Sequence, residues 1–261
     1  MQWGADQPYV ADLLRRRGDA HVGDLNEFVD KLRLQYPDRF VPYVAPTFGG
    51  VNARLLALFQ EPGPKTVPAN GGSGMLCIDN DDRTAARHKA FLAEYMIDIC
   101  DVVSWNAYPW LSPDTGKNRS VEEELAATRA LSRFLTMLPN LKVVMLHGHV
   151  ARNAWRRLEE YTPVDTKYGP AILPGRVHTN RVRAIDSWHL SPRVVNPRFR
   201  TPEEIARFTH EIHESFAEAV AVLRGPSGAP WLTWDPDHPW STPSMLESHE
   251  QLSDPWGDPP F

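Results

Sequence analysis

Three side chains with complementary chemistry, a carboxylate, an amide and an imidazole, each follow a short apolar run. Glu61 lies in the sequence QEPG at 60–63, Asn106 follows DVVSW, and His189 follows VRAIDSW. A carboxylate can orient or deprotonate a water molecule, and an imidazole can donate a hydrogen bond to a developing oxyanion. An asparagine side chain has a donor and an acceptor, which suits the edge of a pyrimidine. Each residue alone has an ordinary loop role, but the three together favour a hydrolytic site.

The other polar clusters of the chain fit structural roles better than metal or nucleotide binding. His147 and His149 lie two residues apart without a third ligand at a suitable spacing, so we predict no metal and no other cofactor. His149 instead suits a phosphate contact at the start of a helix, where free backbone N–H groups favour anions. The acidic run 79–82 lacks the spacing of a calcium loop, and the glycine-rich run 71–74 lacks the Lys-Ser/Thr of a phosphate-binding loop.

The apolar pattern along the chain predicts alternating strands and helices. Buried-strand patterns occur at 53–59, 101–105, 141–146 and 182–188. Helical patterns cover 5–17 and 24–36, and further helices follow Asp82, Ser120, the 147–149 loop and Thr201. This order predicts an α/β fold with three α/β/α layers around a mostly parallel four-stranded sheet. Glu61, Asn106 and His189 would then meet at the carboxyl edge of the sheet.

Charge is distributed unevenly along a chain of 261 residues whose net charge is −5. Residues 176–200 contain one acid, Asp186, and six arginines: Arg176, Arg181, Arg183, Arg193, Arg198 and Arg200. Residues 225–261 contain six acids and neither lysine nor arginine. The basic segment predicts an anionic partner such as DNA despite the negative net charge. A merely solvated surface is the alternative interpretation of these arginines.

Composition predicts three sections in one globular protein. Residues 1–50 form a helical segment packed on the core, 51–224 the α/β domain, and 225–261 an acidic tail rich in proline and tryptophan, docked on the body. The chain lacks a run of roughly 20 apolar residues and a signal-peptide pattern. Its two cysteines, Cys77 and Cys100, provide neither a disulfide framework nor a four-cysteine cluster site. We therefore expect a cytoplasmic monomer without a membrane partner.

The motifs at the four strand ends, in their order along the chain, resemble those of the uracil-DNA glycosylase superfamily. The resemblance covers about residues 50–220 and consists of strand–QEPG, strand–N, strand–GxxA and strand–HxSP. The superfamily has a first motif of the form G-[QEML]-[DANQ]-P-[YG] and a last motif similar to H-P-S-P-L. Residues 59–63 and 189–193 occupy these places. The resemblance implies a DNA partner containing uracil.

The resemblance also implies roles for individual residues of the base pocket. Glu61 matches the water-activating acid of the best-known branch, and Gln60 matches a neighbour that lines the uracil pocket. Asn106 matches the amide that reads the uracil edge. His189 matches the imidazole that stabilises the departing uracil anion. These four residues are therefore the predicted catalytic and base-binding side chains.

Contacts with the DNA backbone are expected from the last motif and the basic segment after it. Ser191 matches a hydroxyl that grips a backbone phosphate, and Arg193 falls where a leucine wedge enters the base stack. Arg198 and Arg200 add positive charge nearby. Together with His149, these residues form the predicted DNA-binding set.

The sequence departs from the superfamily pattern at several positions. Gly63 replaces the tyrosine that excludes thymine in the strictest uracil enzymes, which implies a broader range of bases. Met75 is the best candidate for the missing stacking ring, and Leu190 replaces a proline. Segment 116–119 lacks the histidine of the branch that bonds covalently to DNA, and the cysteines of the cluster-bearing branches are missing.

The predicted activity is excision of uracil, and of other deaminated bases, by base flipping and hydrolysis of the N-glycosidic bond. Two alternatives stay open at this point. One is a catalytically silent member of the same fold that binds DNA or a protein. The other is a histidine-dependent hydrolase of small molecules, because a fold alone does not fix chemistry.

Overall fold

Four parallel strands form the central sheet, at the positions that the apolar runs predict. The structure, a computed structural model, describes residues 7–111, 119–166, 169–174 and 182–225. The helices are α1 (Gln7–Arg15), α2 (Gly23–Gln35), α3 (Arg83–Glu94), α4 (Val121–Thr136), α5 (His149–Glu160) and α6 (Pro202–Arg224). The strands are β1 (Tyr43–Val44), β2 (Leu55–Phe59), β3 (Met75–Leu76), β4 (Val102–Asn106), β5 (Val143–His147), β6 (Tyr161–Thr166), β7 (Gly169–Pro174) and β8 (Arg183–Ser187).

The central sheet has the strand order β4-β2-β5-β8, and every neighbouring pair is parallel. Strands β2, β4 and β5 are buried almost throughout, as expected for parallel strands covered by helices on both faces. The predicted three-layer α/β/α fold is confirmed. Since all four strands run in the same direction, their carboxyl ends lie along one edge of the sheet, where the predicted site residues follow.

Stacked aromatic rings join the helices to the two faces of the sheet. On one face, Trp105 of β4 stacks on Phe134 of α4 with ring centroids 4.0 Å apart. On the other face, Phe216 of α6 stacks on Phe91 of α3 at 4.8 Å and also packs near His147 of β5. Each ring pair adds directional contacts to a large buried apolar area. Helices and sheet therefore form a rigid support for the loops at the strand ends.

Two small sheets accompany the central one, and the sequence patterns did not predict either. Strands β1 and β3 pair in parallel, with Tyr43 opposite Met75. Strands β6 and β7 pair in antiparallel orientation between α5 and β8. Strands of two residues, such as β1 and β3, carry too little periodicity to be recognised from sequence. The β1–β3 pair nevertheless fixes the end of the 60–74 loop relative to helix α2, since the Val44 N–H donates to Asn26 of that helix.

The N-terminal helices belong to the same compact unit as the sheet, which extends to residue 225 of the described chain. Helix α2 buries Leu25 and Val29 completely. The predicted tail lies outside the described residues, apart from Gly225. Among the helices of the described part of the chain, we find none with the length and apolarity to cross a bilayer.

Candidate functional site

The backbone at the ends of β2 and β4 brings the predicted carboxylate and amide to adjacent strands. Phe59 faces Asn106 in the parallel register. The pairing continues beyond the strands, since the Tyr108 N–H donates to the Gln60 carbonyl at 2.9 Å. Glu61, the next residue, therefore begins its loop beside Tyr108. Strand geometry alone is sufficient to place Glu61 and Asn106 at one end of the sheet.

Glu61 is held by hydrogen bonds to both of its carboxylate oxygens. Gln60 Nε2 donates to Oε1 at 3.0 Å, and Arg119 Nη2 donates to Oε2 at 2.7 Å. The side chains of Glu61 and Arg119 are only 12% and 8% exposed. The Arg119 guanidinium lies over the Tyr108 ring, 3.6 Å from its centroid. Glu61 is thus a fixed anion with one lone-pair site on each oxygen remaining for other partners.

Arg119 is a member of the site that the sequence did not predict. It is 58 residues from Glu61 in the chain and follows a stretch of sequence without apolar periodicity. A buried carboxylate usually needs a cationic partner, and that rule was the available signal. It does not identify which of the chain's arginines supplies the partner.

Asn106 places an unpartnered hydrogen-bond donor inside the molecule. The residue is 3% exposed, and among the described residues its Nδ2 atom has no hydrogen-bond partner. A buried polar group without a partner costs about 1–3 kcal/mol. A bound ligand or an ordered water molecule can satisfy such a group. The Nδ2–H of Asn106 can therefore donate a hydrogen bond to a carbonyl oxygen of a ligand.

His189 is a neutral imidazole whose hydrogen-bonding pattern fixes the position of its proton. The Ser191 N–H donates to His189 Nδ1 at 2.9 Å, so in the neutral ring the proton lies on Nε2. Burial, with a smaller contribution from the neighbouring Arg87 and His149, lowers the pKa of His189 to about 4. At neutral pH, Nε2 of His189 is thus a donor from an uncharged ring.

Two residues from other elements fix the loop that carries His189. Arg87 of α3 donates through Nη1 to the carbonyls of Leu190 and Ser191, at 3.3 and 3.4 Å. Gly148 has a φ of +91°, and a Cβ atom there would lie 3.2 Å from the Cβ of His189. Glycine is thus needed both for the backbone and for the close approach of the imidazole. These contacts hold His189 next to the end of β5.

An aromatic layer beneath the edge connects the strand of Glu61 with the loop of His189. The Phe59 ring stacks on His147 at 4.6 Å and meets His189 edge-on at 5.8 Å and His88 at 5.4 Å. Burial is the main cause that lowers the pKa of His88, to about 4, and it also lowers the pKa of His147. His147 and His88 are therefore neutral core residues, which leaves His189 as the partly exposed histidine of the edge.

The predicted base-contacting residues Gly63 and Met75 have different environments. Met75 is fully buried in β3 and lies in the core, so its side chain presents no stacking face at the surface. Gly63 is exposed and has φ −74°, a value open to any residue. A Cβ atom added at Gly63 has no neighbour within 4 Å. Position 63 therefore has space for a side chain, whereas position 75 does not contribute to an open site.

The predicted DNA-binding residues form an exposed strip along the last motif and the turn that follows it. Ser191 is partly exposed, and its Oγ accepts from the Arg193 N–H at 3.4 Å at the start of a 3₁₀ turn. Exposed side chains of the set are His149, Arg193, Arg198 and Arg200. Arg200 pairs with Glu204 at 3.7 Å and lies over the Phe208 ring at 5.3 Å.

The remaining arginines of the predicted basic segment do not extend this strip. Arg183 is the first residue of β8, at the end of the strand opposite to His189, and it pairs with Glu218 at 2.6 Å. Arg176 and Arg181 lie outside the described residues. Within the described chain, the exposed basic strip therefore consists of the residues from Ser191 to Arg200.

Two further features bear on the choice of site. A cleft of about 720 Å³ lies between the N-terminal helices and the 67–74 loop, and none of the predicted site residues lines it. Within the described ranges, no group of three or more His, Cys, Asp or Glu side chains is arranged to hold a metal ion. Glu61, Asn106 and His189 are the predicted site residues that follow the ends of β2, β4 and β8.

Comparison with known proteins leaves the family of this chain open. No family model matches the sequence, and no curated protein matches it significantly.

Proposed function

We propose that this protein is a DNA glycosylase that excises uracil and related deaminated bases. The observation that carries the proposal is the buried Asn106 amide, whose Nδ2 has no partner among the described residues, on the strand beside Glu61. A pyrimidine carbonyl would satisfy this donor. The fixed anion at Glu61 and the neutral donor at His189 add the two chemical groups that cleavage of a glycosidic bond needs. The motif order described above agrees with this assignment.

Recognition of uracil follows from the hydrogen-bonding capacity of Asn106. Its Nδ2 donates to uracil O4, and its Oδ1 accepts from uracil N3–H. Cytosine presents an amino group in place of O4 and an unprotonated N3. Donor would then face donor and acceptor would face acceptor, so cytosine is rejected. A base reaches this amide only after it leaves the helical stack, at a cost of a few kcal/mol.

Bond cleavage uses charge of both signs. As the C1′–N1 bond breaks, its electron pair leaves with the base, and the negative charge spreads to uracil O2. The Nε2–H of His189 donates to this oxygen. The positive charge that develops on the sugar faces the Glu61 carboxylate, which also orients a water molecule. The water oxygen bonds to C1′, and its proton ends on N1 of the released base.

Glu61 acts mainly through its fixed charge and orientation, because two donors already occupy its oxygens. Such an anion stabilises a cationic transition state without reorganisation during the reaction. Meanwhile, Ser191 and the arginines of the strip hold the phosphates of the extruded strand. These steps require no metal or organic cofactor.

The direct test is incubation with an oligonucleotide that contains one uracil, followed by alkaline cleavage at abasic sites. We expect cleavage with the wild type. Glu61→Gln should reduce the single-turnover rate by roughly 10²–10⁴-fold, with little change in DNA affinity. Glu122→Gln, an exposed carboxylate on α4, is the matched control and should retain the wild-type rate.

Two results would replace the proposal by one of its alternatives. Tight binding of the oligonucleotide without release of uracil identifies a silent DNA-binding member of the fold. Turnover of free nucleosides or phosphate esters without activity on DNA identifies a small-molecule hydrolase. A wild-type rate for Glu61→Gln removes Glu61 from the mechanism.

A further inference from the structure

We propose that Arg119 is a positioning residue, which holds Glu61 as an anion in the one orientation that serves the sugar carbon. The inference rests on the proposed function and extends it to a side chain outside the motifs. Arg119 contacts the carboxylate and not the reacting atoms, so it acts through Glu61. The proposal concerns the pair of Arg119 Nη2 and Glu61 Oε2, which lie 2.7 Å apart.

Glu61 and Arg119 form a largely buried ion pair. Glu61 and Arg119 are 12% and 8% exposed, so water compensates little of either charge. Removal of one partner from a buried ion pair leaves the other charge uncompensated, which is strongly unfavourable. The Arg119 guanidinium therefore compensates the carboxylate charge that faces the developing sugar cation.

The Arg119 side chain is itself held in place by its neighbours. Its guanidinium lies 3.6 Å from the centroid of the Tyr108 ring. Tyr108 is 2% exposed, its hydroxyl donates to Glu124 at 3.3 Å, and the same oxygen accepts from Arg157 at 3.3 Å. A flat cation on an aromatic face has few alternative positions. The position of Oε2 is thus determined by α4, α5 and the end of β4 together.

The two oxygens of the Glu61 carboxylate accept hydrogen bonds from different residues. Gln60 occupies one site on Oε1, and Arg119 occupies one on Oε2. The carboxylate plane is then set by two donors from different directions. Without Arg119 the carboxylate can rotate about its terminal bond, and Gln60 alone, its sequence neighbour, does not prevent this. Errors of about 1 Å in such a group reduce rates by about 10²-fold.

The test measures kcat and KM for excision from a uracil oligonucleotide. Arg119→Met should lower kcat about 10–100-fold with little change in KM, and Arg119→Lys should recover part of the loss because it restores the charge without the planar stack. In a Glu61→Gln background, Arg119→Met should cause no further loss, because Arg119 acts only through Glu61. If kcat of the double variant falls by the product of the two single-variant reductions, the proposal is overturned.

The matched control is Arg39→Met. Arg39 also pairs with a glutamate, Glu123, at 2.6 Å and also lies over an aromatic ring, that of Trp110. Its loss should lower Tm but leave kcat within about twofold, because the donors to the Glu61 carboxylate are Gln60 and Arg119, and Glu123 acts on Arg119 through its charge. Equal reductions of kcat by Arg39→Met and Arg119→Met would show a general effect on folding and overturn the positioning role.

A second measurement separates failure of this inference from failure of the proposed function. Urea unfolding of the wild type, Glu61→Gln, Arg119→Met and the double variant needs no activity. The losses in the free energy of unfolding of the two single variants should add up to more than the loss in the double variant. The reason is that either change alone leaves a buried charge unpaired. Additive losses overturn the pairing whether or not the protein excises uracil. If the two changes are non-additive in stability but the protein does not excise uracil, the Glu61–Arg119 pair is supported and only the proposed catalytic function is rejected.

Discussion

The edge of the sheet contains two regions that treat charge in opposite ways. The inner site, defined as Glu61, Asn106, Arg119 and His189, is largely shielded from water, and each charge in it has a partner. The outer strip, defined as Ser191 to Arg200, is mostly exposed, and its arginines reach into solvent. The inner site can therefore set orientation and proton position. The outer strip can supply only attraction for an anion.

Substitutions in the two regions should change different properties, namely the rate of the chemical step and the affinity for DNA. Buried charges and unpartnered donors are expensive to alter, so inner-site changes act on the chemical step. Exposed ion pairs such as Arg200 with Glu204 contribute about 0–1 kcal/mol and are screened by salt. Phosphates can replace the glutamate at little cost. Changes in the outer strip should therefore act on affinity.

The largest contrast is expected between two histidines at the same edge. His189→Ala should reduce the single-turnover rate by on the order of 10²–10³-fold, because the donor to uracil O2 is lost. His149→Ala should alter only DNA affinity, by a few-fold, because His149 is exposed at the start of α5. Rapid-quench excision assays at saturating enzyme measure the first effect, and fluorescence anisotropy measures the second.

The same assays define the result that would break the contrast. Loss of affinity without loss of rate for His189→Ala would mean that His189 contributes to DNA binding, as the outer strip does, and not to bond cleavage.

Since the pKa of His189 is about 4, its neutral form dominates above about pH 5. The wild-type rate should therefore show no His189 ionisation between about pH 5 and pH 8.

Acid should act on the core beneath the inner site and leave the outer strip unaffected. The pKa of His88 is lowered from 6.5 to about 4 in the folded protein. A group with a lowered folded pKa contributes stability above its unfolded pKa, and this contribution is lost as pH falls from about 6.5 towards 4. The loss from His88 amounts to at most about 3 kcal/mol.

His88→Phe tests this dependence, since phenylalanine preserves the ring contacts with Phe59 and Phe216. Urea unfolding at about pH 7.5 and about pH 5 should show a smaller loss of stability in the variant than in the wild type. Identical losses in both proteins would show that the ring of His88 takes up no proton on unfolding in this range.

Most of the inner site could be predicted from sequence, and the reason is the parallel sheet. Apolar runs locate the strands, and the residues that follow parallel strands lie along one edge, so Glu61, Asn106 and His189 are predicted to lie at the same edge. Arg119 could not be predicted because its partner is distant in sequence and the sequence before it has no apolar periodicity. Met75 was chosen by its spacing from the first motif, whereas the β1–β3 pairing buries it in the core.

For the outer strip, the sequence predicts only an excess of positive charge, and not which arginines are exposed or paired. The sequence indicates six arginines in 176–200 but not which of them are compensated. Arg183 is paired with Glu218 through a contact with α6, a tertiary detail that composition does not contain. Exposure and pairing of single cations depend on side-chain packing, which local patterns do not determine.

A smaller effect, on specificity, is expected at the unpartnered donor. Asn106→Asp presents acceptors where uracil O4 also accepts, so excision of uracil should fall on the order of 10–100-fold. Excision of cytosine should rise from its background, because its exocyclic amine can donate to the new carboxylate. Paired assays on oligonucleotides with one uracil or one cytosine measure both changes. Unaltered excision of uracil would mean that Asn106 does not read the base.

The smallest effects are expected in the outer strip, where three arginines should separate into two groups. DNA affinity should fall steeply with added salt despite the net charge of −5, because phosphate contacts release counterions. Arg198→Ala and Arg200→Ala should weaken binding to duplex and single-stranded DNA alike, by a few-fold. Each should reduce the slope of log K against log salt by about 1.

Arg193→Ala should behave differently, because Arg193 occupies the wedge position of the last motif and its backbone N–H is fixed by Ser191 at 3.4 Å. Excision from duplex DNA should fall more than excision from single strands, where little unstacking is needed. Titrations and excision assays on the same two oligonucleotides, one duplex and one single-stranded, make the comparison. Equal and negligible effects of all three substitutions would mean that the arginines only solvate a turn. The DNA would then have to reach the inner site from a different surface.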